Sequence, residues 1–519
     1  MKSIYIILTL LFSLPATVYS QPRKPKTYAL VIGVSHYKDP NITSLNYAHL
    51  DADAFSRFCI SPLGLNIPKS QIKLLTNEDA SFVNILDELD WIKTEVKKND
   101  IAYIYFAGHG AIESPKLGKV TLLAHDSKYV NQYHRAISLR LLDETVETIS
   151  LDTEAKVFLI TDACHSGKLA DAAFTNDNHL NAQLSKVQTN NEVRITSCKE
   201  FELSFEDKAW GNGRGAFSYF LVKGMAGEAD GMVNSVKDNQ ISIGEINAYL
   251  LKNVPQEVET IKQKKQNPVI KGSESIVFNQ FKPGAIQEVI DIKTSDTIGI
   301  VKYSGSRGAI INPSTRNFAK KIVDELLDNE NTDVKSLSAK SPKEIRKKLL
   351  KEYVKINAFH NRKLSVDEGY KLIAKVMYEK YLNHIDPYVC GNVEKTNNSL
   401  YASVDTYLDE LPYVIEIANK LLPKEHYLVK AFSMQKEYLS GLSKRLKIFS
   451  VTQTELIEEA FAFQNKALAL APEAAFVHNE LGLLHLLKEE NDKAKYYFEK
   501  AIEIAPLWFI PQNNLKSIE

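Results

Sequence analysis

The chain has 519 residues, 44% of them hydrophobic and 25% charged, the balance of an ordinary folded protein of about three domains. Lysine plus arginine and aspartate plus glutamate both number 64, so no net charge draws the protein to nucleic acid or to an anionic lipid surface. Its four cysteines (Cys59, Cys164, Cys198 and Cys390) show no pairing pattern, which argues against a disulfide scaffold.

Residues 1–20 read as a secretory signal peptide. Lys2 supplies the charge, Ile4 to Leu14 is almost wholly apolar, and Val18-Tyr19-Ser20 ends in a small residue before Gln21. An uncleaved anchor is the competing reading, but the run is shorter than the ~20 residues a spanning helix needs. No cysteine follows the expected cut, which argues against lipid attachment, and no other segment could span a membrane. The mature protein is therefore expected to be exported, periplasmic or secreted.

From residue 27 to 272 apolar runs alternate with amphipathic stretches. Tyr28 to Val34, Ile72 to Thr76, Ile101 to Ala107, Val120 to Ala124, Lys156 to Thr161 and Val193 to Ser197 read as strands. Leu45, Ala48, Ala52, Phe55 and Phe58 mark one helix between them, and Phe82, Ile85, Leu86, Leu89, Ile92 and Val96 mark another. The expected fold class is α/β, a mostly parallel sheet with helices on both faces. Residues 273–330 read as a linker or irregular region, with Tyr303 to Gly308 and Asn312-Pro313 as loop signals. An all-α region is expected over 331–455, where Ser341-Pro342-Lys343-Glu344 and Ser365 to Glu368 are capping boxes.

The C-terminus, 456–519, repeats itself. Lys466 to Pro472 recurs as Lys500 to Pro506, a period of 34 residues, and Leu481-Gly482, Ala494, Tyr497, Phe498 and Ala501 fall where tetratricopeptide repeats interlock two helices. Such helical hairpins offer a surface for a partner protein, or simply cap the helical middle.

The chemistry lies at two strand ends. Gly108-His109-Gly110 follows Ile101 to Ala107, and Asp162-Ala163-Cys164-His165-Ser166-Gly167 follows Lys156 to Thr161. Neighbouring parallel strands would deliver an imidazole and a thiol to one sheet edge, where open α/β folds place their sites. A thiol attacks a carbonyl well only as thiolate, and an adjacent imidazole can take its proton and return it to the leaving amine. Gly110 is expected to turn sharply, so that its N–H and that of Cys164 face the oxyanion, one such donor commonly giving ~3–4 kcal/mol.

At these residues the chain resembles the caspase-like cysteine peptidases, in their metacaspase and paracaspase branches. Tyr105 to Gly110 resembles the family's histidine motif, Asp162 to Gly167 its cysteine motif, and Tyr28 to Val34 with Leu45 to Phe55 its first strand and helix. The resemblance covers residues 27 to 272 and implies an endopeptidase with His109 and Cys164 as catalytic dyad. It also implies a basic-specific pocket: Asp162, two residues before Cys164, is the acid that binds the Arg or Lys preceding the scissile bond. Asp51 would be a second acid, with the adjacent Asp53 able to trade roles, and Glu202 a third. Paired carboxylates in a partly dry pocket ionise cheaply only when a cation joins them, so Asp is disfavoured as substrate residue. Arg is preferred over Lys where both carboxylates take its guanidinium.

No cofactor is required by this chemistry. The resemblance also implies calcium activation, which several metacaspases need, though no acid cluster to hold the ion is identified in the sequence. Cleavage after Lys186 or Lys168, in the loop between Lys168 and Asn190, would mature the enzyme by the same resemblance. The expected partners are proteins or peptides with Arg or Lys before the cut, and a protein held by the repeats. The alternative from another class is a silent caspase-like scaffold that acts through its repeats.

Overall fold

The structure is a computed structural model that describes residues 23–114, 119–130, 135–165, 190–199, 202–291, 313–327, 332–359, 365–386, 388–389, 406–424, 426, 428–448, 450 and 452–518. The expected signal peptide, Lys168, Lys186 and Cys390 lie outside the described residues.

Strands β1 (Thr27–Gly33), β2 (Ile72–Thr76), β3 (Ile101–Ser114), β4 (Lys119–Leu123), β5 (Ala136–Ser138), β6 (Lys156–His165) and β7 (Glu192–Thr196) build the main sheet. Two short strands, β8 (Glu206–Asp207) and β9 (Arg214–Gly215), pair with each other, β10 (Gln240–Ser242) pairs with β12 (Val277–Gln280), and β11 (Val269–Lys271) joins the sheet edge. The order is β11-β7-β6-β3-β1-β2, parallel except for β11. β4 and β5 extend antiparallel from the far half of β3.

Each central strand is apolar throughout because both of its faces are covered. Ala29, Val31, Tyr103, Tyr105, Phe158 and Ile160 turn to one face, under α1 (Ala48–Ile60) and the Ala216–Lys223 and Ile243–Lys262 helices. Leu30, Ile32, Ile104, Phe106, Val157 and Leu159 turn to the other, under α2 (Phe82–Glu95) and α3 (Leu139–Glu147). Gly33 sets the height of α1: a Cβ there would lie 2.5 Å from Ala52 Cβ and 2.6 Å from the Ala48 carbonyl oxygen.

The helical region shares the α2 face, and its buried residues continue the same apolar cluster from Ala319 to Trp508. Ion pairs between Lys375 and Asp87 and between Arg135 and Asp386 cross the junction. Both expected capping boxes form, at Ser341 with Glu344 and at Ser365 with Glu368. Near the C-terminus the helices Thr454–Leu470, Ala475–Leu487, Asn491–Ile504 and Phe509–Lys516 follow one another through short turns. A Cβ at Gly482 would meet the Phe498 ring at 2.5 Å, so glycine is what lets these two helices close together.

Two expectations change. The expected linker holds β12, the Ala285–Asp291 helix and the Pro313–Leu327 helix, the last burying Ala319, Ile322, Val323 and Leu327. The motif strands also run further than their apolar runs. β3 continues through Gly110 to Ser114 and β6 through Cys164 to His165, so Gly110 makes no sharp turn. The reason is pairing: β4 lies antiparallel along this extension, with Gly110 opposite Leu122. Among the described residues no helix is long and apolar enough to cross a membrane.

Candidate active site

β3 and β6 run parallel in a register that aligns Ala107 with Asp162, Gly108 with Ala163, His109 with Cys164 and Gly110 with His165. Neighbouring strand positions are ~4.8 Å apart, so the backbones of His109 and Cys164 stand side by side. The two expected oxyanion donors, Gly110 and Cys164, are one register step apart on these strands.

His109 is buried at 1% exposure and held on two sides. Its Nε2 lies 2.7 Å from the Thr43 carbonyl oxygen, and its backbone N–H donates to the Tyr37 hydroxyl at 2.8 Å. The Tyr37 ring stacks on the imidazole, centroids 5.1 Å apart and planes 18° from parallel. A carbonyl can only accept, so Nε2 carries the proton and the lone pair of the neutral ring sits on Nδ1. Thr43 and Tyr37 have no sequence signature, because one acts through its backbone and the other through a loop that folds back.

Asp162 is 9% exposed. Ser204 Oγ donates to its Oδ1 at 2.6 Å and Ser218 Oγ to its Oδ2 at 2.5 Å. Ser218 has one proton and gives it to Asp162, so the Tyr105 hydroxyl, 2.6 Å away, donates in turn to Ser218. Burial raises the Asp162 carboxyl above the ordinary carboxylate range, and the serine hydrogen bonds oppose that shift.

Asp51, in the first turn of α1, is 3% exposed and accepts the Gly215 N–H at 3.0 and 3.1 Å. Burial, and then the neighbouring Asp162, push its carboxyl well above the usual range. The two acids converge over Gly215, where a Cβ would be 2.9 Å from Asp162 Oδ2 and 3.1 Å from Asp51 Oδ2. Asp53 does not trade roles with Asp51, since it is ion-paired to Arg57 one turn on, at 2.6 Å.

Glu202 is placed elsewhere. Its carboxylate accepts from the Asn267 backbone and side chain, both at 2.6 Å, which fastens the loop after β7 to the chain before β11. Glu206 stands nearer the pair: it accepts from Asn46 N at 2.8 Å and Tyr47 N at 2.9 Å, tying β8 to the start of α1, and its charge raises both Asp51 and Asp162. Buried Arg214, beside Gly215, balances part of this negative field, and Asp51 partly offsets the lowering that burial imposes on its guanidinium. Cys59 and Cys198 are buried thiols, Cys198 Sγ donating to the Glu202 carbonyl at 3.3 Å, and burial pushes the Cys59 thiol far up. Among the described residues no group of three or more His, Cys, Asp or Glu could hold a metal ion.

Gly215→Ala tests the pocket directly. Its φ of −67° suits alanine, so the added methyl costs space between the two carboxylates rather than backbone strain. The expected result is roughly a 10- to 100-fold fall in kcat/KM on peptides with Arg before the leaving group, with little change in melting temperature. Steady-state kinetics and thermal unfolding check it.

A covered parallel sheet that sets a histidine and a cysteine side by side, with an acid two residues before the cysteine, defines a caspase-type α/β domain. Residues 26–276, just under half of the chain, match the family model of the caspase domain of C14 peptidases. No curated protein matches the chain. Among solved structures, a Geobacter sulfurreducens protein is 16% identical over 50% of this chain and 98% of its own, with a TM-score of 0.33. A structure of pro-sf-caspase-1 is 14% identical over 49% and 90%, TM-score 0.32. Caspase-1 from Spodoptera frugiperda is 11% identical over 52% and 96%, TM-score 0.32.

Proposed function

We propose that the chain is an exported cysteine endopeptidase that hydrolyses peptide bonds after Arg or Lys through Cys164 and His109. The observation that carries this reading is the convergence of two buried carboxylates, Asp51 and Asp162, over Gly215, with Asp162 on the strand of Cys164. Burial raises both carboxyls and Asp162 raises Asp51 further, so an arriving guanidinium favours their ionised forms, their protons passing to solvent, while an Asp side chain would add a third repelling charge.

The reaction follows from the fixed tautomer of His109. Nδ1 takes the Cys164 thiol proton, the thiolate attacks the carbonyl, and the imidazolium then protonates the leaving amine. Water next attacks the thioester, with the same nitrogen taking its proton, and the free acid leaves. The Thr43 carbonyl stabilises the charged ring by accepting from Nε2 throughout.

The test is a panel of fluorogenic peptides with Arg, Lys or Asp before the leaving group, assayed with calcium or with chelator. Turnover is expected on Arg, then Lys, and not on Asp, and it is expected to survive chelation because a thiolate and an imidazole need no metal. Turnover only after Asp would overturn the pocket assignment.

The C-terminal hairpins are proposed to be tetratricopeptide repeats that hold a protein partner, on the support of the 34-residue period and of Gly482 beneath Phe498. Export is proposed from the N-terminal residues alone. N-terminal sequencing of the mature protein should begin near Gln21.

A further inference from the structure

The helical region is linked to His109 through two loops that polar contacts tie to it and to each other. Arg135, 4% exposed at the start of β5, places Nη2 2.9 Å and Nε 3.2 Å from Asp386 Oδ1, at the end of the Val366–Asp386 helix. Its Nη1 reaches Asp126 Oδ2 at 2.9 Å, and Lys128 Nζ reaches Asp386 Oδ2 at 3.0 Å. Asp386 thus holds the β4–β5 connection at two points, Lys128 and Arg135. That connection is braced internally, since Ser127 Oγ donates to the Arg135 carbonyl at 2.6 Å and accepts Ala124 N–H at 2.8 Å.

The same connection holds the segment that orients His109. Lys38 N–H donates to the His125 carbonyl at 2.8 Å, His125 Nδ1 donates to the His36 carbonyl at 2.7 Å, and Tyr129 N–H donates to Asp39 Oδ2 at 2.9 Å. Residues 36–43 include Tyr37 and Thr43, which grip the imidazole by stacking and by hydrogen bonds on two sides. Ile42 packs with Ala111, Leu123 and Ala136, so the segment is also seated on β3, β4 and β5.

We propose that Asp386 is a positioning residue for His109: the helical region fixes the imidazole by way of Arg135 and the two loops between them. This rests on the peptidase reading above. It makes the region after residue 331 part of the catalytic apparatus, beyond any role in partner binding. The test compares two breaks in one junction.

The experiment uses the full chain and the variants Asp386→Asn and Asp386→Glu. Asp386→Asn leaves Arg135 paired with Asp126, so no buried charge is stranded. The comparison variant is Asp87→Asn with Lys375→Met, which removes an ion pair across the same junction without touching either loop. Asp386→Asn is expected to lower kcat on the Arg peptide about tenfold with KM nearly unchanged, and Asp386→Glu to recover most of it. The double variant is expected to keep the wild-type kcat whatever it does to melting temperature. An unchanged kcat in Asp386→Asn, or an equal fall in the double variant, would overturn the proposal. The 15N shift of His109 Nε2, read in a Cys164→Ala background, is expected to move with Asp386→Asn and not with the double variant. That readout needs no turnover, so a wild type without Cys164-dependent activity would sink the peptidase reading while the shift still decides the role of Asp386.

Discussion

Cys164→Ala is expected to abolish peptide turnover, on the order of 10⁴- to 10⁶-fold in kcat, with the fold intact. In the proposed mechanism this thiol is the attacking atom, and no described cysteine can replace it: Cys59 and Cys198 are buried, the first with its thiol pushed far up. His109→Ala should cost a comparable factor, because the thiol then loses the base that ionises it. The two losses should not add, since neither residue accelerates the reaction without the other. Single-turnover assays on an Arg peptide with the wild type, the two single variants and the double variant check the size and the non-additivity together. Wild-type protein with no more turnover than Cys164→Ala would favour the silent scaffold.

Asp51→Asn should separate stability from activity. The group is buried and its carboxyl is raised well above the usual value. For an acid with a raised folded-state pKa, the associated stability is fully present below the unfolded value and is lost as pH rises through the folded one. At pH 7 to 8 the buried acid therefore costs the fold stability. Asparagine keeps an oxygen to accept the Gly215 N–H and carries no charge. The variant is expected to melt higher than wild type at pH 7 to 8, with the difference closing as the pH falls below the ordinary carboxylate range. Its kcat/KM on the Arg peptide should fall by roughly 100-fold or more, because the guanidinium loses one of its two counter-charges. Melting curves across pH and steady-state kinetics read the two effects. A variant that melts lower and keeps its activity would return Asp51 to a plain helix-start role.

The sheet was legible because β1, β3 and β6 are covered on both faces and so read as unbroken apolar runs. Asp162 and Asp51 were legible from the motifs, and the structure brings them together. Glu202 shows where spacing runs out. Four acids fall between Glu200 and Asp207, and only the folded path of β8 shows that Glu206 meets the start of α1 while Glu202 turns to Asn267. Pro313 was ambiguous for a different reason. After asparagine it reads as a break, yet it is the first residue of a helix, where its missing N–H costs nothing. The length of β3 was hidden because β4 supplies its partners from a separate segment.

The apolar cluster shared by α2, α3 and the helices beyond residue 313 bears on how the molecule is made. When the ribosome has completed the caspase half, one side of its sheet still lacks its outer layer, and residues such as Ile373, Tyr378 and Leu439 have yet to arrive. The order of synthesis therefore acts as a timer: the caspase-like half is built first but is enclosed last, so a chain interrupted early leaves one side of that half with its apolar surface uncovered.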